Sequence, residues 1–138
     1  ALCNAEASSA GLPGTYLALL TPLGVSAASR FNTMGAPWVR VDNVSLSPTA
    51  NSFFTDPFWT ATLNVTPLRS YGTATTWSGS TNLLFQGAPS NTCQDWTSGS
   101  VNDSARAGVM NDSEVAHAFG GAGTVTCSNA LPLVCLQQ

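Results

Sequence analysis

The chain has 138 residues, only 8% of them charged, and a net charge of −3; an average globular protein carries roughly 25% charged residues. All four cations are arginines (Arg30, Arg40, Arg69, Arg106), too few and too scattered for the clustered positive surface that nucleic acid or an anionic membrane requires. The 43% apolar share is ordinary, which excludes a disordered polyelectrolyte, and no run approaches the ~20 apolar residues of a membrane helix.

The length fits one domain. At its start, Asn4 to Ala10 predicts a short helix, since alanine favours helix and Gly11 is placed to stop it. Gly14 to Leu20 reads as a strand ended by Thr21-Pro22, and Val25 to Phe31 as a second short helix of small residues. Trp38 to Val41 reads as a short strand. Trp59 to Val65 alternates more cleanly, with Trp59, Ala61, Leu63 and Val65 on one face and Thr60, Thr62 and Asn64 on the other. Further strands are predicted at Thr75–Ser78, Ala107–Met110, Thr124–Cys127 and Leu133–Leu136. Pro, Gly, Asn and Ser clusters at 42–57, 66–73, 78–92 and 97–105 separate these segments. The expected class is α+β: two short helices near the N-terminus, then short antiparallel strands joined by long loops. Loops that long are usually functional or pinned covalently.

The cysteines can do the pinning. Cys3, Cys93, Cys127 and Cys135 form an even set with no C-x-x-C pair, and the single histidine, His117, is remote from them. Zinc ligands come in close pairs, so two disulfides are the better use. That implies an oxidising compartment, extracellular or at a cell surface. A start at Ala1 fits a mature form after signal-peptide removal. Sequons begin at Asn43, Asn64, Asn102 and Asn111, as chance allows in a chain so rich in Asn, Ser and Thr.

The ordered motifs carry a resemblance. They are Ala10-Gly-Leu-Pro-Gly-Thr-Tyr16, Val39-Arg-Val-Asp-Asn43, Trp77-Ser-Gly79, Cys93-Gln-Asp-Trp-Thr-Ser98 and the closing Cys127-Ser-Asn-Ala-Leu-Pro-Leu-Val-Cys135. The set spans nearly the whole chain. It resembles the C-type-lectin-like fold, and within it a bacterial branch of secreted and lipoprotein domains related to endostatin. The resemblance implies pairing of Cys3 with Cys135 and of Cys93 with Cys127. It also casts Trp77 and Trp96 as core anchors around the inner disulfide, the alternative being sugar-stacking platforms.

Catalysis finds little support. His117 lies in Ala-His-Ala-Phe beside glycines and reads as a loop or structural histidine. No Gly-x-Ser-x-Gly elbow, phosphate loop or dinucleotide fingerprint occurs. Calcium is the best cofactor candidate, because hard cations take oxygen ligands, and Asp103, Asn111, Asp112 and Glu114 lie between the second and third cysteines. Met110-Asn-Asp112 is similar to the Trp-Asn-Asp signature of sugar-binding C-type lectins, with Met in place of Trp; the companion Glu-Pro-Asn motif is absent.

Two functions remain open. One is a non-catalytic extracellular adhesion module that recognises a glycan or a surface protein. The other is a structural subunit that assembles with copies of itself into a filament or surface layer, for which the near absence of charge speaks. Phe53, Phe54, Phe58 and Trp59 are the ligand or interface candidates: exposed, they make a sticky patch; buried, they plug the core under the long loop.

Overall fold

The computed structural model describes residues 1–72 and 75–138. Thr73, the last residue of the predicted loop 66–73, lies outside them. The fold is α+β, with few short helices, small antiparallel sheets and two disulfides, Cys3–Cys135 and Cys93–Cys127. The pairing is the one the resemblance implied.

Helix α1 (Leu2–Ser9) is eight residues long, marginal on its own in water. Gly11, at φ +69°, lets the chain turn back: Leu12 N–H donates to Ala7 C=O (2.9 Å) and Gly11 N–H to Ser8 C=O (3.1 Å), the paired bonds of a Schellman stop. Cys3 and Ala7, one turn apart, are its buried face. Strand β1 (Tyr16–Ala18) pairs antiparallel with β5 (Cys135–Gln137), in register Tyr16↔Gln137 and Ala18↔Cys135. The outer disulfide therefore ties α1 to β5 and brings the two ends of the chain together.

A second sheet has the order β2 (Thr75–Trp77), β3 (Ser104–Val109), β4 (Gly123–Thr126), all antiparallel. Its central strand carries Ala105 and Ala107 inward. Those small side chains leave room for Trp77 and the Cys93–Cys127 disulfide, which complete a minor core. Helix α4 (Val115–Gly120) packs on β3 at Gly108, where any Cβ would collide with the Ala118 carbonyl.

The major core lies between the sheets and the long loops. Its centre is aromatic: Phe53 stacks on Trp59 (centroids 5.1 Å, 15°) and meets Phe54 edge-on at 5.0 Å, while Trp38 reaches Phe54 at 5.3 Å. The Trp59 indole N–H donates to Phe53 C=O at 2.8 Å, so its one polar group is satisfied inside the core.

Several expectations need correction. Val25–Phe31 forms one 3-10 turn, Ala28–Arg30, in place of a second α-helix. Trp38–Val41 is no strand; it makes a single bridge, Val39↔Ser45, around a tight turn with Asn43 at φ +67°. Trp59–Val65 is no strand either, because its amides are divided between two separate segments: Trp59 N–H goes to Ser113 C=O and Leu63 N–H to Met110 C=O in one, and Thr60 N–H to Leu46 C=O in the other. Its alternation survives only as burial of Trp59 and Leu63. Short α2 (Ser52–Thr55) and α4 went unpredicted, and His117 sits in α4 rather than in a loop. The turn α3 (Cys93–Trp96) is left-handed: its four residues have φ between +48° and +64°.

Candidate functional site

A groove of about 900 Å³ runs between α1 and β5 on one side and the loops 35–41 and 63–67 on the other. This is within the ~300–1,000 Å³ range of ligand sites. Its floor is the edge of the major core: half-buried Trp38 over the buried Leu46, Leu63 and Leu136. Trp38 is fixed there by its indole N–H, which donates to Gln137 C=O at 3.0 Å. Leu2 on α1 and Val39 on the facing loop stand exposed at the rim, at 69% and 54%.

The groove is nearly uncharged. Glu6 and Arg40 are its charged lining residues. Arg40 is already engaged: its Nε and Nη2 donate to the Asp42 carboxylate at 3.0 and 2.6 Å, and its Nη1 to Thr62 C=O at 2.8 Å. Hydrogen bonding to Asp42 raises the Arg40 pKa, and the same bond lowers that of Asp42.

Two polar atoms in the lining lack partners among the described residues: Thr76 Oγ1 and Asn64 Oδ1. Thr76 is only 4% exposed. Buried polar atoms of native proteins are almost always bonded, and each exception calls for an explanation. Both atoms have essentially no accessible surface, so a group bound in the groove does not touch them in this conformation. Neither residue was singled out from the sequence as a contact. Asn64 looked like the polar face of a strand and a chance sequon, and Thr76 like an ordinary strand residue. Only the three-dimensional placement shows their hydroxyl and amide oxygens unpaired.

The residues that were singled out lie elsewhere. Phe53, Phe54 and Trp59 are buried, at 0%, 3% and 3% exposure, so three of the four interface candidates are core; Phe58 alone is exposed, at 61%. The reason is the hydrogen-bonded pair Thr49–Ser52, which starts α2 and turns both of its phenylalanines inward. Trp77 is buried beside the Cys93–Cys127 disulfide. Trp96 is half-buried, its ring 6.0 Å from that of Trp77 and its indole N–H donating to Thr21 C=O.

The calcium candidates do not converge. Asp103 precedes β3 and Asn111, Asp112 and Glu114 follow it; a strand of that length spans about 20 Å. Asp103 accepts from Gln94 Nε2 and Ser98 Oγ, and both bonds lower its pKa. Asp112 accepts from Glu114 N–H and faces His117 Nδ1 at 2.8 Å. Both carboxylates are thus occupied within the chain, and among the described residues no group of three His, Cys, Asp or Glu could hold a metal ion. Asp103 therefore lies apart from the other three candidates, at the opposite end of β3. No helix among the described residues is long and apolar enough to cross a membrane. Compared with family models and with curated proteins, the sequence matches none.

Proposed function

We propose that this protein is a non-catalytic extracellular binding module of C-type-lectin-like fold, which recognises a glycan or a protein segment presented on a surface. The observation that carries this reading is the nearly uncharged groove of about 900 Å³ with Trp38 fixed on its floor. A site held open by a disulfide-tied helix on one side and a pinned tryptophan on its floor is preorganised, which lowers the entropy cost of binding. The two disulfides fit an extracellular setting.

The test is capture on glycan and peptide arrays by the wild type and by Ala36→Trp. Ala36 is exposed at the groove's edge, so a tryptophan there fills the groove without entering the core. Specific spots that vanish with Ala36→Trp and persist with Ser128→Trp, a remote surface change, support the reading. Spots that both variants retain refute the site.

A second reading, self-assembly, has its own observation. Bridges Leu23↔Gly87 and Ser26↔Gln86 bring Leu23, Val25 and Phe85 into one neighbourhood, and all three are exposed. Exposed apolar groups held together in this way mark interfaces. Light scattering and electron microscopy separate the two readings: a monomer across concentrations favours the binding module, and regular oligomers favour assembly.

A further inference from the structure

We propose that the groove takes an extended, uncharged polypeptide segment of another protein, added as a strand alongside β5. This rests on the binding-module reading and names its ligand class. The first support is register. Gln138 N–H donates to Thr15 C=O and Leu19 N–H to Val134 C=O. These mark hydrogen-bonded pairs on either side of Tyr16↔Gln137 and Ala18↔Cys135. By the alternation of antiparallel ladders, the backbone groups of Cys135 and Gln137 point away from β1. Gln137 C=O receives the Trp38 indole from that side. Cys135 N–H and C=O and Gln137 N–H have no partner among the described residues. An unpaired strand edge is a template for a further strand.

The second support is chemical. A peptide backbone supplies both donors and acceptors at every residue, which matches the free Cys135 N–H and C=O and Gln137 N–H. Leu2, Pro37, Val39 and Leu133 offer apolar lining for alternate side chains. A glycan would set hydroxyls against that surface. Arg40 is already paired with Asp42 and Glu6 is the one other charged lining residue, so acidic side chains would find no partner and at most one cationic side chain would find one. Among the described residues, the two loop tips beside the groove are closed on themselves and offer a second copy no free strand. The tip at 66–70 is closed by Thr66 N–H to Ser70 C=O, and that at 40–44 by Arg40 N–H to Val44 C=O.

The probe is a capped heptapeptide, Ser-Val-Thr-Val-Ser-Val-Thr, titrated into the labelled full chain and followed by heteronuclear NMR. The expected result is that the Cys135 and Gln137 amides and the Trp38 indole shift together. The same peptide N-methylated at alternate residues should not bind. If chitohexaose or maltohexaose moves these amides and the peptide does not, the peptide proposal falls and the module stands. If the β5 amides shift with protein concentration alone, the occupant is a second copy and the proposal falls. If no probe moves them and Ala36→Trp leaves array binding intact, the proposal and the groove reading fall together.

Discussion

Removing the outer disulfide with Cys3→Ala and Cys135→Ala tests how the fold is held. The bond joins residues 132 positions apart, against 34 for Cys93–Cys127. On the chain-entropy model the two closures contribute about 5 and about 4 kcal/mol. Local effects at the inner bond oppose one another. Its sulfurs are buried against Trp77, Ala105 and Ala107, and deleting them leaves a void worth about 1–3 kcal/mol. Freed from Cys93, the left-handed turn α3 sheds strain of roughly 1–2 kcal/mol for each residue that relaxes. These are of similar size, so loop length decides, and the outer pair should cost about 1 kcal/mol more. Against a typical ~5–15 kcal/mol of net stability, the outer variant should sit near the edge of unfolding. Urea denaturation of both double variants, read by far-ultraviolet circular dichroism and tryptophan fluorescence, measures this. An inner-pair loss exceeding the outer by about 2 kcal/mol would refute the reasoning, because packing rather than chain closure would then dominate.

Phe54→Ala should cost about 3–5 kcal/mol and Phe58→Ser no more than about 0.5, since one ring is buried and the other exposed; equal losses in chemical denaturation would contradict that division. Gly108→Ala should destabilise by about 1–3 kcal/mol or more, because the new methyl meets the Ala118 backbone and α4 cannot yield like a flexible side chain; an unchanged melting temperature would show that α4 is not seated on β3. The Glu114 amide and then His117 hold the Asp112 carboxyl below its ordinary pKa. A depressed carboxylate stabilises above its unfolded value of about 3.9 and loses that contribution as pH falls through the folded value. Asp112→Ala should therefore melt below the wild type at pH 7, with the gap closing as pH falls through the lowered folded value. A gap that persists in acid would remove the carboxylate from the account.

What could be read from the sequence was local or covalent. Gly11 announces the end of α1 because a left-handed residue is needed there. The strands of the second sheet were found because each has a continuous partner. Trp59–Val65 misled for the opposite reason. It alternates correctly, yet no single neighbour runs beside it in register, so its amides are divided between two segments. Helix α2 hid in a Pro-rich stretch, although Thr49 and Ser52 bond each other's amides in the manner of a capping box. Closeness to a cysteine in sequence says nothing about which end of β3 an acid occupies, so the separation of Asp103 from Asn111, Asp112 and Glu114 was not legible. The groove was illegible, since its lining comes from α1, two loops and the last strand, and periodicity reports none of their mutual positions.

The scarcity of charge acquires a different meaning once the arginines are located. Arg30 donates from Nη1 to the carbonyls of Ala18 and Leu20, Arg40 to Thr62 C=O beside its pairing with Asp42, and Arg106 from Nε to Gly120 C=O. Burial lowers the Arg30 pKa despite the opposing attraction of Asp95, as expected of a guanidinium placed for structure rather than for solvent. Three of the four cations thus bind loop and strand-end carbonyls that no ladder reaches, and only Arg69 stands exposed. A planar fork with several fixed donors can satisfy two carbonyls at once, or a carbonyl and a carboxylate, where an ammonium offers a compact, strongly hydrated point charge. A chain of long loops held at a few carbonyl clusters therefore has a use for arginine and little for lysine. The surface left over is almost free of cations, so an encounter with any partner gains little from long-range steering. Affinity must then come from burial and from hydrogen bonds at short range, which are what the groove along β5 offers.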